Sequence, residues 1–241
     1  MSHSIARLVG AIDSTLEVEQ AAEFPVWGQR ADLDADETAC LSAELRAGRS
    51  VDDREFDRIY DGRWREPSDV HWTRLGIASR IVSLLKMQQG EVLLDVGSGA
   101  GKFCLIGALT SPGDFVGVER RRNLVDVARA AQRKLRATRV QFLCGDALDV
   151  DWNPFDCIYL FNPFEEHLME ATSRVDNSVS FSKDDHARYV AETRKKLEGV
   201  PPGTRIAIYY GFGAPVPDSF SLMHSEVHDL GQLNIWRQYE S

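Results

Sequence analysis

The chain lacks the features of secreted and membrane proteins. It has only four cysteines, and none stands in C-x-x-C spacing: Cys40, Cys104, Cys144 and Cys157. No apolar run reaches the length of about 18 residues that a membrane span needs. The first residues carry no apolar signal core. We therefore expect a reduced, cytoplasmic protein without disulfides, metal sites or a membrane partner.

An excess of basic charge is also lacking. The formal net charge is −9, which argues against a nucleic-acid-binding protein that relies on overall charge. One segment is locally basic, with Arg120, Arg121, Arg122, Arg129, Arg133, Lys134, Arg136 and Arg139. We interpret it as a solvated helix face, and the alternative is a docking face for an anionic macromolecule.

A glycine-rich turn between a strand and a helix is the most informative stretch. Residues 92–96 predict a buried strand, and residues 102–109 resume an apolar pattern that suits a helix. Three glycines stand between them at alternate positions: Gly97, Gly99 and Gly101. Glycine allows the backbone to turn sharply and to approach a ligand closely. Such a unit opens a nucleotide-binding α/β fold.

The glycine spacing does not suit a phosphate ligand. A dinucleotide turn, G-x-G-x-x-G, would need glycine where Lys102 stands. A phosphate-binding P-loop would need glycine in place of Val96 and serine or threonine in place of Phe103. Both interpretations are disfavoured.

Polar residues follow the next three predicted strands, at residues 115–119, 140–147 and 155–161. The groups at these strand ends are Glu119, the run Gly145-Asp146-Ala147, and the run Asn162-Pro163-Phe164. A carboxylate at the end of the second strand can accept hydrogen bonds from ribose hydroxyls. Because parallel strands present their functional groups at one edge, these residues are expected to lie near the glycine turn.

The set of Asp95 with the three glycines, followed by acids and an asparagine at successive strand ends, resembles the class I S-adenosylmethionine-dependent methyltransferases. The resemblance covers roughly residues 70–240. It implies a doubly wound, mostly parallel seven-stranded α/β sheet with an antiparallel C-terminal hairpin. It also implies in-line attack of a nucleophile on the methyl group of the cofactor S-adenosyl-L-methionine. The implied cofactor-binding residues are Thr73, Asp95, Gly97, Ser98, Gly99, Gly101, Glu119, Arg120, Asp146, Ala147 and Asn162.

The run Asn162-Pro163-Phe164 is implied to be catalytic. It is similar to bacterial family members of unassigned substrate and, more distantly, to the non-SET histone lysine methyltransferases. It lacks one proline of the N-P-P-[YF] motif, which puts a base-flipped adenine substrate in doubt. Asparagine offers uncharged donors and an acceptor, and a carbonyl before the aromatic residue is free to orient an amine. The favoured acceptor is an amine of a protein or small molecule. An RNA methyltransferase and an inactive cofactor-binding module are the alternatives, and the oligomeric state is open.

Residues 1–70 are predicted to be a helical extension beside a methyltransferase domain at residues 71–241. Helices are expected at residues 4–19, from Asp34 or Asp36 to about 47, and from Ser50 to about 60. Thr73 is expected to cap a helix at residues 74–87. By the resemblance, Thr73 and Trp72 are close to the cofactor.

The C-terminal part is predicted to contain helices at residues 165–171 and 182–197 and strands at 205–210, 221–227 and 233–239. His224, Glu226 and His228 alternate along one strand and face one side. We interpret them as solvated side chains, and a metal site is the alternative.

Overall fold

The computed structural model describes residues 32–65, 67–228 and 231–239, without the side chain of Asp69. The helix predicted at residues 4–19 lies outside these ranges. Within them, no helix has the length and apolar character needed to cross a bilayer.

Seven strands form one mixed sheet. They are β1 Val92–Val96, β2 Asp114–Glu119, β3 Val140–Cys144, β4 Cys157–Phe161, β5 Arg205–Tyr209, β6 Phe220–His228 and β7 Gly231–Gln238. Their order is β3-β2-β1-β4-β5-β7-β6. β1 to β5 are parallel, and β7 runs antiparallel to both β5 and β6. The predicted doubly wound sheet with an antiparallel C-terminal hairpin is confirmed.

Helices cover both faces of the sheet. They are α1 Ala35–Arg46, α2 Asp53–Phe56, α3 Ser68–His71, α4 Leu75–Leu85, α5 Lys102–Thr110, α6 Arg122–Leu135 and α7 Lys183–Gly199. The apolar faces of α1, α4 and α6, together with α5, pack on one side of the sheet, and α7 packs on the other. Every residue of β1 and β2 is buried, as expected for central strands covered on both faces.

The N-terminal extension shares its core with the sheet. Leu41, Leu45, Phe56, Ile59 and Tyr60 are each at most 2% exposed and lie in the same apolar cluster as α4, α5 and α6. The cap of α1 is Asp34, which forms a reciprocal capping box with the residue three positions on. The division at residue 70 remains a prediction about domains.

Two predicted helix caps are wrong. Asp52, and not Ser50, caps the second helix, which is shorter than predicted. Thr73 does not cap α4, because its hydroxyl lies 2.7 Å from that of Tyr159. The amide of Leu75 at the start of α4 instead donates to Oδ1 of Asp53 at 2.8 Å. A cap from elsewhere in the chain leaves no local signal in the sequence.

The single helix predicted at residues 165–171 is also wrong. The segment forms two short 3₁₀ turns, Glu165–His167 and Ala171–Ser173. The guanidinium of Arg174 donates to the carbonyls of Glu166 at 3.0 Å and Met169 at 2.8 Å. A continuous α-helix would use these carbonyls for its own amides.

Gly107 of α5 provides a test of the packing of this helix on the sheet. A Cβ at this position would lie 2.3 Å from ring atoms of Phe115. We expect Gly107→Ala to lower the free energy of unfolding by about 1–3 kcal/mol, because the buried ring cannot yield easily. The control is Gly76→Ala in α4, where no atom lies within 4 Å. Its expected effect is a gain of up to about 1 kcal/mol. Urea denaturation measures both, and equal stabilities would contradict the close contact.

Candidate active site

A cavity of about 580 Å³ lies at the carboxyl ends of β1 to β5. Its volume is in the range of roughly 300–1,000 Å³ that is typical of small-molecule sites. Residues from all five strand ends, from the segment before α4 and from residues 164–181 line it. Open α/β sheets bind ligands at this edge.

The glycine turn and Glu119 hold each other at one end of the cavity. The buried carboxylate of Glu119 accepts hydrogen bonds from the amide of Gly99 at 3.1 Å and the amide of Arg121 at 3.0 Å. Gly97 and Gly99 adopt positive φ angles of 77° and 54°, which glycine tolerates without steric cost. Burial raises the pKa of Glu119. The buried carboxylate of Glu119 thus contacts the backbone of the glycine turn, and both form part of the cavity wall.

Asp146 forms the next wall of the cavity. One carboxylate oxygen accepts from the amide of Leu148 at 2.9 Å, and the other accepts from the hydroxyl of Tyr189. Burial and this carboxylate raise the pKa of Tyr189 to about 12. The ring of Tyr189 lies 5.1 Å from that of Phe164 and 5.4 Å from the guanidinium carbon of Arg120. Apolar rings and a polar carboxylate therefore lie side by side after β3.

Asn162 turns the chain sharply after β4. Its φ angle is 40°, and its side-chain amide donates to Oε2 of Glu165 at 2.9 Å. Its backbone amide donates to the carbonyl of Gly211 at 3.2 Å. Pro163 lies beside the glycine turn, since a Cβ placed on Gly97 would be 3.6 Å from its Cβ. The Asn162 corner is therefore adjacent to the glycine turn.

A network of charged side chains forms the outer wall of the cavity. The buried guanidinium of Arg121 pairs with Glu166 and lies 3.5 Å from a carboxylate oxygen of Asp176. Glu166 also accepts from the amide of Val175 at 2.8 Å. His71 is half-buried on the same wall, and burial lowers its pKa, so that a neutral imidazole is favoured at pH near 7.

Most of the predicted site residues meet at this cavity. Those that line it are Gly97, Gly99, Glu119, Arg120, Asp146, Ala147, Asn162, Pro163 and Phe164. The remaining four, Thr73, Asp95, Ser98 and Gly101, are not among its lining residues. Contact of these four with a cofactor remains a prediction.

Three of the four remaining residues support the glycine turn from behind. Asp95 accepts a hydrogen bond from the thiol of Cys104 in α5 at 3.2 Å. Ser98 fills the space beside Gly117, where a Cβ would lie 2.7 Å from it. Gly101 has φ of 82° and no room for a side chain beside the ring of Phe142. Their positions are those of packing residues.

Sequence reasoning missed several residues of the cavity wall. Arg121, Glu165, Glu166 and Tyr189 all line it. Glu165 could have been found, because a carboxylate three residues after a turn-forming asparagine is placed to bind it. Arg121 and Glu166 are 45 residues apart, and the sequence carries no sign of their pairing.

The described ranges contain no group of three or more acidic, histidine or cysteine side chains that could hold a metal ion. His224 and His228 do face one side, and their Nε2 atoms lie 2.8 and 2.9 Å from the carboxylate of Glu226. That carboxylate also binds the guanidinium of Arg80 at 2.9 Å.

Comparison with known proteins identifies the domain and the fold. Residues 87–195 match the model of a family described as a methyltransferase domain. No curated protein matches the chain. An RNA methyltransferase from Salinibacter ruber, solved with S-adenosyl-L-homocysteine, has 20% identity and a TM-score of 0.51. The match covers 70% of this chain and 94% of that one.

Two further solved structures are similar to this chain, with low sequence identity and comparable TM-scores. TrmN from Thermus thermophilus has 20% identity and a TM-score of 0.52, over 69% of this chain and 49% of that one. A mutant of MtNAS in complex with S-adenosylmethionine has 14% identity and a TM-score of 0.50, over 86% of this chain and 73% of that one. At these identities the shared property is the fold.

The buried acid behind the glycine turn predicts a pH-dependent stability. Burial raises the pKa of Asp95 to about 7, whereas an unfolded aspartate has a pKa of about 3.9. Between these values the folded state binds more protons, so the contribution of Asp95 to stability falls as the pH rises.

Asp95→Asn cannot ionise and escapes this loss. We expect the free energy of unfolding of the variant, minus that of the wild type, to increase by about 1 kcal/mol or more between about pH 5 and pH 8. Urea denaturation at both pH values measures the difference. A difference that does not change with pH would show that Asp95 titrates normally.

Proposed function

We propose that this protein, a class I S-adenosylmethionine-dependent methyltransferase, transfers the methyl group to an amine nitrogen of a protein side chain or small molecule. The proposal concerns the acceptor and the roles of individual residues. It draws on the geometry at the ends of β2, β3 and β4.

The residues around the cavity suit the methyl donor. Glu119 is a buried acceptor at the strand end where a ribose binds. A carboxylate offers about four lone-pair positions, and Asp146 uses two of them for Leu148 and Tyr189. Acceptor capacity for an adenine amine therefore remains. Gly97 and Gly99 line the cavity without side chains, so the backbone there is accessible to the amino-acid end of S-adenosylmethionine.

The contribution of the protein to the reaction is chiefly alignment. When bound, S-adenosylmethionine would supply a methyl group on a positively charged sulfur. An amine that arrives as an ammonium group would first lose a proton, because attack needs a free lone pair on nitrogen. The nitrogen–carbon bond would then form as the carbon–sulfur bond breaks, with S-adenosylhomocysteine as the leaving group. Positioning of two reactants can lower a barrier by about 7–11 kcal/mol. The Asn162 corner, beside the glycine turn, is the element that would hold the acceptor.

The contact between Asn162 and Glu165 is the observation that carries the proposal. A carboxylate only accepts hydrogen bonds, so it fixes the amide group of Asn162 with its nitrogen towards Glu165. The amide oxygen then faces away from Glu165 and is free to accept from an N–H group. The negative charge of Glu165 favours a cationic amine nearby and offers a site for the proton that the nitrogen loses.

Aromatic rings beside this corner also favour an amine. The ring of Phe161 lies 5.4 Å from that of Tyr209 and 5.9 Å from that of Tyr210, and Phe164 also lines the cavity. Faces of aromatic rings attract cations such as ammonium groups.

An RNA acceptor is less well supported. Three side chains of the basic segment bind main-chain carbonyls of the protein itself. The guanidinium of Arg129 donates to Phe142 at 2.8 Å, that of Arg139 to Ser111 at 2.7 Å, and the ammonium of Lys134 to Ile59 at 2.7 Å. These three of its eight basic side chains are thus engaged within the protein, and the chain as a whole carries a charge of −9.

Binding of the donor is tested at Glu119. Glu119→Gln removes the negative charge of a side chain that accepts hydrogen bonds from two backbone amides and, as proposed, from the ribose hydroxyls. We therefore expect the affinity for S-adenosylhomocysteine to fall about 10- to 100-fold. The matched control is Glu192→Gln on the exposed face of α7, with an unchanged affinity. Calorimetric titration measures both, and wild-type affinity in Glu119→Gln would refute a role for this acid in binding.

Transfer to an amine is tested at Glu165. The assay is release of S-adenosylhomocysteine with lysine-containing peptides and small primary amines, beside alcohols of the same shape. We expect amines alone to stimulate release, and Glu165→Gln to lower this rate about 10- to 100-fold while the affinity for S-adenosylhomocysteine changes less than about twofold. Stimulation by RNA and by no amine would overturn the proposed acceptor.

A further inference from the structure

We infer that the N-terminal extension is part of the methyl-donor site: it holds the glycine turn in its binding conformation through a buried cluster around Lys102. The inference rests on the assignment of the cavity to S-adenosylmethionine and is independent of the acceptor. It is carried by contacts of the extension with Ala100 and Lys102, and by the contact of Trp72, which follows the extension, with Gly99.

The first contact is a buried ammonium with three partners. Lys102 is the first residue of α5, directly after the glycine turn, and its side chain is 1% exposed. Its Nζ lies 2.6 Å from a carboxylate oxygen of Asp53, 2.8 Å from one of Asp57 and 2.9 Å from the hydroxyl of Ser68. All three partners of this ammonium belong to the extension, and two of them are carboxylates.

The second and third contacts lie within the turn itself. The hydroxyl of Tyr60 donates to the carbonyl of Ala100 at 3.2 Å. The indole of Trp72 lies against Gly99, where a Cβ would be 3.2 Å from Nε1. The rings of Tyr60 and Trp72 pack edge to face, with their centroids 5.0 Å apart. Tyr60 of the extension thus packs against Trp72, which contacts Gly99 and lines the cavity.

Asp53 connects this cluster to α4. It binds Lys102 and also accepts from the amide of Leu75, the first residue of α4. The start of α4, the extension and the start of α5 are therefore joined through one carboxylate. Trp72 lies just before α4, so its position depends on the same carboxylate.

The turn has a physical reason to need such support. Gly97, Gly99 and Gly101 all have positive φ angles, and glycine loses more conformational entropy than any other residue when it is ordered. A turn that is already ordered by the extension loses less entropy when a ligand binds, which raises affinity. The cluster would thus act on cofactor affinity through preorganisation.

A contribution to stability alone would not require charges. Replacing a buried ion cluster by apolar or neutral groups is often neutral or stabilising, whereas removing one partner leaves an uncompensated buried charge. The single variant Lys102→Met is therefore compared with a neutral triple variant, Lys102→Met with Asp53→Asn and Asp57→Asn. The triple variant removes the charges together and keeps an acceptor for the amide of Leu75.

The test is calorimetric titration of the full chain with S-adenosylhomocysteine, with hydrogen exchange of residues 97–102 as a second readout. We expect the dissociation constant to rise about tenfold in both the single and the triple variant, with faster exchange in the turn. Tyr60→Phe, which removes only the hydroxyl, is expected to raise it about two- to fivefold. Arg49→Met exchanges an exposed cation of the extension for methionine and should leave both readouts unchanged.

Each outcome decides the inference. If the wild type binds and a folded Lys102→Met or triple variant binds equally well with unchanged exchange, the extension has no role in the site. If Lys102→Met fails to fold, the triple variant and Tyr60→Phe decide in the same way. If the wild type itself does not bind, the cofactor assignment falls and this inference falls with it.

Discussion

The reversal of the chain between β1 and α5 is the constraint on which the rest of the structure depends. It uses left-handed backbone at Gly97, Gly99 and Gly101, and two of these positions have neighbours that leave little room for a side chain. A Cβ on Gly101 would meet Phe142, and one on Gly99 would meet Trp72. The turn therefore brings α5 directly onto the sheet and leaves backbone atoms at the cavity wall.

Two acids secure this reversal, and each has its own partners. Glu119 accepts the amide of Gly99 and lines the cavity. Asp95 contacts the thiol of Cys104 in α5 and is not among the residues that line the cavity. Burial raises the pKa of both carboxyls, and Glu119 is the one of the two that lines the cavity.

The strand ends show how much of the site a sequence predicts. Buried parallel strands are apolar runs that stop where polar residues begin, so Glu119, Asp146 and Asn162 were placed correctly at one edge. Asp95 was grouped with them, although alternation along β1 puts it on the same face as Leu93, which α5 covers. The partners of Arg121 and Lys102 lie 34 to 55 residues away along the chain. Pairing at such separation depends on how helices dock, which periodicity and propensity do not encode.

The two ends of the cavity are built on different principles. At the glycine turn, glycines adopt left-handed backbone at little steric cost. At the Asn162 corner and at Tyr210, residues with side chains adopt it, at φ of 40° and 67°, and each such residue costs on the order of 1–3 kcal/mol. The Asn162 corner and the segment at Tyr210 are linked, because the backbone amide of Asn162 donates to the carbonyl of Gly211, the residue after Tyr210.

Strained residues persist where surrounding contacts determine their conformation. Asn162 and Tyr210 line the cavity, whereas Lys86 and Arg136 have positive φ angles as the C-caps of α4 and α6. In this conformation the amide of Asn162 contacts Glu165 and the ring of Tyr210 lies beside that of Phe161. A glycine at either position would relieve the strain and remove a side chain from the cavity wall. The glycine turn therefore uses the conformational freedom of glycine, whereas the Asn162 corner and Tyr210 combine strain with side chains that line the cavity.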